Sequence, residues 1–365
     1  MIGLEEKILN RRLSDLYEME IEDELVLWEE TVEAIKNVER ISLERSAYFS
    51  NLLSKESDTD SYLTSVSYYF FTGRKGLWIY KNGESFIPFC WHPNVPDQVL
   101  VFPQRGKICP DLLDEFLSKV PMPPAGISLV RVKENVDALP SIKAIGSSGS
   151  VVFSPVVEPV LDWKYPVRVL STKTVSAMNG PEFRYIRNRV KQIEKADGKI
   201  AAIEDVPVSV LEDFIRRWAG SNAEFYTEED ELFSLYQKII SFRDKLDLGV
   251  DGFVVFINGE IEALTMWDTS NAGAPIANRF VNLCDTTYGG LADFCTVSLA
   301  RKLEAKGIKY LNIGGAETES LDQFKRKFQP AYSLRLHSVE AKAKTPHGLS
   351  FETYNSFSEG MASYA

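Results

Sequence analysis

Two glycine-ended turns, each leading into a helix, carry the residues of this chain whose types and spacing suit chemistry. Lys309 to Ile313 alternates and is rich in β-branched and aromatic residues, which predicts a strand, and Gly314 and Gly315 end it. Paired glycines there let the backbone turn with positive φ and let a ligand approach main-chain amides without a Cβ in the way. Thr318 or Ser320 can cap the next helix, where Leu321, Phe324 and Phe328 fall at helical spacing, Lys325, Arg326 and Lys327 cluster, and Pro330 is the stop. A strand, a glycine turn and a basic helix make an anionic-ligand site or an ordinary strand-turn-helix with a solvated basic face. Between turn and helix stands Glu317, placed as a general base, as a group binding a substrate amine, or as a carboxylate favoured near a helix start. Upstream, Asp285 precedes Tyr288, Gly289 and Gly290 at the head of a helix predicted over 289–306. Asp285 is a second catalytic candidate or a plain cap. Tyr288 is a stacking or pocket residue or a core one, and Gly289 and Gly290 offer amides at a helix start.

Other chemistries find little support. Cys90, Cys109, Cys284 and Cys295 have no close-pair spacing of the kind zinc sites use, and His92, His337 and His347 add neither a ligand set nor a triad, so no metal is expected. No stretch approaches the roughly 18 to 20 apolar residues of a membrane span, and the first residues lack an apolar signal core, so a cytoplasmic protein is expected. The net charge of −11 argues against nucleic acid until its placement is read: residues 1–60 hold 16 acidic and 7 basic side chains, which leaves the other 305 at only −2. Arg184, Arg187, Arg189, Lys191, Lys195 and Lys199 form one basic segment, and Arg301, Lys302, Lys306, Lys309 and Lys325 to Lys327 another. These are a basic groove under an acidic average, or the polar faces of two helices.

The elements that must position these residues repeat. GLWIYKNGE at Gly76 to Glu84 returns as GFVVFINGE at Gly252 to Glu260, an offset of 176 residues, close to half of 365. Asn-Gly between apolar runs is a hairpin signal. Each hairpin is followed by a further strand (99–102; 277–283) and a helix (109–120; 289–306), so two like units are expected. The second unit also has helices predicted at 179–197, 208–220 and 228–247. The boundaries read as an acidic helical extension over 1–50, a first unit over 51–160 ending in a Ser, Gly and Pro-rich linker at 140–159, a second unit over 161–345, and a tail over 346–365. The acidic extension repels nucleic acid from one face or packs against a second copy in a homodimer; the residues leave both open.

The order of helices, hairpin, strand, long helix and glycine-ended strand resembles the GCN5-related acyltransferase (GNAT) fold, an α+β fold with a mixed central sheet. FRYIRNRVKQIEK at 183–195, DGFVVFINGEIEAL, DTTYGGL at 285–291 and YLNIGGAETESLDQFKRKFQP together are similar to the catalytic region of the phosphatidylglycerol lysyltransferase family, a tandem of two such units. The resemblance covers about 50–338. It implies an aminoacyltransferase that moves an aminoacyl group from aminoacyl-tRNA to a hydroxyl or amine by direct attack, with the second unit catalytic and the first degenerate. The transmembrane half of the membrane synthases is absent, so a soluble small-molecule or peptide acceptor is expected. Lys325 and Lys327 would then contact phosphates of the tRNA acceptor end or of CoA, and Arg187 and Asn188 would border the acceptor groove, Arg187 as a fork for phosphate or carboxylate. Acyl-CoA enzymes of the broad fold hold the pyrophosphate in an Arg/Gln-x-x-Gly-x-Gly/Ala turn; here Thr286 and Leu291 stand at its ends. No cofactor is therefore expected, with a CoA-dependent N-acyltransferase and a non-catalytic binding module as the alternatives.

Overall fold

The computed structural model describes residues 26–54, 65–72, 76–92, 98–107, 109, 111–123, 126–133, 151–156, 165–222, 240, 249–269, 275–316 and 318–343. The helix predicted at 228–247, apart from the buried Ile240, the tail over 346–365 and most of the 140–159 linker lie outside them. A helix through 26–33 (α1) leads to β1 (Val38–Arg40), α2 (Ser46–Ser54) and α3 (Val66–Thr72). Then come β2 (Trp78–Asn82), β3 (Ser85–Trp91), β4 (Val99–Val101), β5 (Arg105–Gly106), α4 (Leu112–Lys119), β6 (Ile127–Lys133) and β7 (Val151–Val156). The second half runs β8 (Val167–Ser171), α5 (Thr172–Ala177), α6 (Arg184–Lys195), β9 (Lys199–Ala202) and α7 (Val208–Asn222). It continues with β10 (Val250–Ile257), β11 (Glu260–Asp268), β12 (Ile276–Cys284), α8 (Leu291–Ala305), β13 (Tyr310–Asn312), α9 (Glu319–Arg326), β14 (Tyr332–Leu334) and β15 (Leu336–Ala343).

Both Asn-Gly phrases fold as hairpins, but their turns differ by one residue. In the second, Ile257 pairs Glu260, so Asn258 and Gly259 form the turn, both with positive φ (55° and 88°), the combination that matches the twist of the flanking strands. In the first, Asn82 already pairs Ser85, the turn residues are Gly83 and Glu84, and only Gly83 has positive φ. A β-bulge between Val255 and Phe256 goes with the different registers.

Two mixed sheets are built on one plan. In the first, β1, β2, β3 and β4 are antiparallel neighbours and β4 pairs β6 in parallel; in the second, β9, β10, β11 and β12 repeat this and β12 pairs β13 in parallel. A parallel pair needs a crossover, which α4 supplies in one sheet and the longer α8 in the other. One strand then crosses between the halves. β8 lies between β13 and β14, whereas β15, at the end of the second half, lies between β6 and β7 of the first sheet. A strand that linear order assigns to the second unit thus completes the first.

Burial follows from pattern. In α6, Ile186, Val190 and Ile193 recur at helical spacing and are buried, which leaves its basic residues on the other faces. That helix starts at Arg184 rather than near 179, because Gly180 (φ 91°) and Pro181 impose a 3-10 turn first. α8 is apolar on most sides and sits in the core of the second unit with α6 and the sheet. Another core joins the halves: Phe49, Tyr69, Phe86 and Phe102 share it with Leu211, Val254, Leu264 and Leu283. At its edge the fully buried Asp268 accepts hydrogen bonds from Ser65 Oγ (2.7 Å) and the Ser67 amide (3.1 Å), tying β11 to the start of α3.

Candidate active site

β12 and β13 pair over three rungs only, Ile276 with Tyr310, Ala277 with Leu311 and Asn278 with Asn312, and then part. β12 stays with β11 as far as Cys284, while residues 313–316 follow β8: Ile313 N donates to Arg168 O (3.0 Å), Arg168 N to Gly314 O (3.1 Å), and Tyr165 bridges Ala316. The result is a fork. Its apex is a polar rung, for Asn312 Nδ2 donates to Asn278 Oδ1 (3.1 Å) and both residues are buried. Asn312 Oδ1 also accepts the Gly314 amide (2.9 Å), fixing the turn at Gly314, whose φ of 76° suits glycine.

The orientation of the next peptide follows. In a trans peptide the C=O and N–H point opposite ways. The Gly314 carbonyl points toward β8, so the Gly315 N–H points toward β12, into the fork. That amide is in a buried residue and has no acceptor among the described residues. The Gly315 carbonyl accepts from Lys325 Nζ. An oriented, buried N–H is what stabilises charge developing on an attacked carbonyl.

Lys325 is therefore turned inward, 7% exposed, instead of reaching out for a phosphate. α9 is set against the fork by a two-point ion pair from Arg168 of β8 to Asp322 (Nε to Oδ1 2.9 Å, Nη2 to Oδ2 3.0 Å), and Thr318 caps it by accepting the Leu321 amide (3.3 Å). Lys327 lies 2.6 Å from Asp293 Oδ1, a buried carboxylate in the first turn of α8. Although close, the groups are not aligned as a hydrogen bond, so the attraction is that of two charges. The Lys327 ammonium also sits 4.0 Å from the ring centre of Phe324 and 5.6 Å from that of Tyr185. Deeper in the second unit, Arg279 Nη1 donates to Thr296 Oγ1 of α8 (2.8 Å).

The turn before α8 is narrow for a reason. A Cβ at Gly289 would lie 2.8 Å from Arg189 Nη1, and one at Gly290, where φ is 102°, 2.9 Å from Arg189 Cβ. The glycines let α6 pass close to the head of α8. Asp285 Oδ1 accepts the Thr287 amide (2.7 Å) and so closes this turn, and its charge, after burial, holds the neighbouring Glu262 above the usual carboxylate range. Tyr288 is half-buried against the core. Cys284, at the end of β12, is hydrogen-bonded to Cys295 and desolvated, which together push its thiol well above the ordinary value.

On α6, Arg187 turns back to the Met178 and Gly180 carbonyls (2.8 Å to the latter) and secures the turn after α5. Asn188 is exposed. The structure thus gathers Gly314, Gly315 and Lys325 at the fork, and Lys327 beside the head of α8 with Gly289 and Gly290; Glu317 lies outside the described residues. Sequence reasoning missed Asn278, Asn312, Arg168, Asp322, Asp293 and the aromatic partner of Arg189, Tyr185. One signal was available: an asparagine inside each of two apolar strands.

An acyl-CoA pyrophosphate fits poorly at the head of α8. Arg189 packs against both glycines, and Thr286 and Leu291 stand where an Arg or Gln and a small residue would be.

Residues 168–340 match the family model for phosphatidylglycerol lysyltransferase, C-terminal. No curated protein matches the chain. Among solved structures, a conserved protein of unknown function from Bacteroides thetaiotaomicron is similar at 17% identity and a TM-score of 0.64, over 84% of this chain and 99% of that one. L-PGS from Bacillus licheniformis is similar at 15% identity and 0.54, over 83% and 92%. The C-terminal domain of a putative lysylphosphatidylglycerol synthetase from Agrobacterium fabrum gives 13% and 0.52, over 81% and 91%. At these identities the structures speak for the fold, a tandem of GNAT-like α+β units. Fork, basic helices and glycine turn all fall within residues 168–340, the stretch that is similar to the phosphatidylglycerol lysyltransferase C-terminal family.

Proposed function

We propose that this protein transfers an aminoacyl group from aminoacyl-tRNA to a hydroxyl or amine, with the reaction at the fork between β12 and β13. The observation that carries the reading is the Gly315 amide, buried, unengaged among the described residues and aimed into the fork. The family match supports the donor, and the poor fit of a pyrophosphate at the head of α8 weighs against CoA.

An aminoacyl ester is already activated, so no covalent intermediate on the protein is needed. The acceptor oxygen or nitrogen attacks the ester carbon, the Gly315 N–H receives the developing oxyanion, and the intermediate collapses with departure of the tRNA ribose oxygen. The acceptor proton passes to a base, for which Glu317 is the candidate, and from there to the leaving oxygen. Lys325 acts indirectly: by holding the Gly315 carbonyl it keeps this stretch of backbone in place. A soluble small molecule or peptide is the acceptor to test first.

Incubation with a pool of charged tRNA and host metabolites tests the reading. We expect one class of aminoacyl ester to be consumed in an acceptor-dependent way and Glu317→Gln to slow this at least tenfold. Phosphatidylglycerol vesicles as acceptor form a second arm and acetyl-CoA as donor a third. Transfer from acetyl-CoA alone would overturn the donor assignment.

A further inference from the structure

Tyr185 is the large aromatic of α6 that the core does not use. It is 54% exposed, one turn before Arg189, whose Nε donates to its hydroxyl (2.8 Å) and whose guanidinium lies 5.1 Å from its ring centre. Lys327 brings a second cation within 5.6 Å of the same ring. Among the described residues Arg189 otherwise bonds only the Gln192 side-chain amide oxygen (3.4 Å) and forms no ion pair with a carboxylate. Asn188 and Gln192 extend the same helical face. The cluster borders the Gly289-Gly290 turn, and Lys327 stands two residues beyond Lys325, which clamps Gly315 at the fork.

An exposed, laterally fixed ring with an unneutralised guanidinium beside it is the combination that binds single-stranded nucleic acid: bases stack on the ring and cations meet the phosphates. A membrane surface would call for several apolar side chains around the ring, whereas the neighbours here are Asn188, Arg189 and Gln192. We infer that Tyr185, with Arg189, is a stacking subsite for the unpaired 3′ end of an RNA, which would lead its terminal ribose toward the fork, Lys327 being engaged by Asp293. This rests on the proposed donor, though its test does not require transfer.

Fluorescence anisotropy with a short single-stranded RNA ending in C-C-A reads binding directly, with the same sequence in a duplex as a second probe and anionic phospholipid vesicles, followed by sedimentation, as a third. The single strand is expected to bind best. Tyr185→Ala should weaken it about 5- to 100-fold, while Tyr185→Phe, which keeps the ring, stays near the parent. Arg189→Gln should weaken binding and flatten its salt dependence, and Lys199→Ala, which removes a charge from an exposed pair with Asp197, should change neither. Unchanged affinity in Tyr185→Ala, equal losses in the Ala and Phe variants, or a Tyr185-dependent preference for vesicles would each overturn the subsite. If the parent transfers from charged tRNA while Tyr185→Ala leaves RNA affinity unchanged, the subsite alone is wrong. If the parent transfers nothing yet the Tyr185 series behaves as expected, the proposed reaction alone is wrong.

Discussion

At the scale of single residues, the second unit places charges where only paired charges are tolerated. Asp293 is buried in the first turn of α8, where the helix field favours an anion, and Lys327 neutralises it. Asp293→Asn should cost about 1–3 kcal/mol, at the lower side of what breaking a buried pair costs because Lys327 is 25% exposed. The double variant Asp293→Asn, Lys327→Met should recover part of that loss, since it leaves no unpaired charge; urea denaturation of the four proteins in the cycle measures the coupling. Asp251 behaves differently. Burial raises its carboxyl, but hydrogen bonds and charge from Lys306 and Lys302 outweigh this and hold it below the usual range. A depressed folded value means that its contribution is present above the ordinary carboxylate range and fades as pH falls through the lowered value. Asp251→Asn should therefore cost about 0.5–1 kcal/mol at neutral pH, modest because both lysines are partly exposed, and the gap from the parent should close in acid. Stability curves at a series of pH values check it; a gap that widens in acid would refute the assignment. None of these partners was legible in the chain, because pairs such as Asp293 with Lys327 or Arg168 with Asp322 join residues that periodicity cannot associate.

The elements were far more legible, and where the reading slipped the cause is local. Hairpins, crossover helix and the strand ending at Gly314 follow from Asn-Gly turns, apolar spacing and glycine punctuation, all carried within a few residues. The one-residue difference between the hairpin turns was not readable, since it depends on which of Asn and Gly takes positive φ once the strands pair. The fork was readable only as a glycine-ended strand. That residues 313–316 leave β12 for β8 depends on Arg168 and the Asn278-Asn312 rung, far apart in sequence. Two predictions belong here. Gly290→Ala would set a Cβ 2.9 Å from Arg189 Cβ and 3.0 Å from its carbonyl oxygen at a φ of 102°, so it should destabilise by about 1–3 kcal/mol and push α6 from the head of α8. Thermal denaturation reads the first effect and increased amide exchange in 291–294 the second. Arg168→Ala should cost about 3 kcal/mol by leaving the buried Asp322 unpaired and should loosen α9. Asp322→Asn on that background should recover part of the loss, because it removes the unpaired buried charge.

For the whole molecule the crossing of β15 into the first sheet decides how the two units depend on each other. The half-length repeat announced two like units, and the two sheets share one plan, but their separateness is not what the structure has. β15 pairs β6 from Leu336↔Lys133 to Ala341↔Ile127 and β7 from Ser338↔Val156 to Ala343↔Val151, so the last described strand of the chain is an interior strand of the first sheet. Linear order hides this, because a strand pattern near residue 340 says nothing about which sheet will receive it. β8, which follows the first unit, fills the equivalent place in the second sheet beside β13, next to the fork. Each sheet is thus closed by a strand from beyond its own hairpin, and the shared core and the Asp268 contact to Ser65 and Ser67 couple them further. Chain termination after Leu334 removes β15 while leaving every described residue of the fork in place. If β15 paired within the half that linear order gives it, such a truncation would spare the first sheet. The crossing of β15 predicts instead that β6 and β7 lose their common partner, that the first sheet opens with amide exchange rising across 127–133 and 151–156, and that the exposed edges favour association between copies. Because the core is continuous, unfolding of the truncated chain should shift as one transition in far-UV circular dichroism rather than split into two. Protection in β10 to β12 that outlasts the loss of protection in β2 to β4 by several kcal/mol would show that the second unit folds by itself.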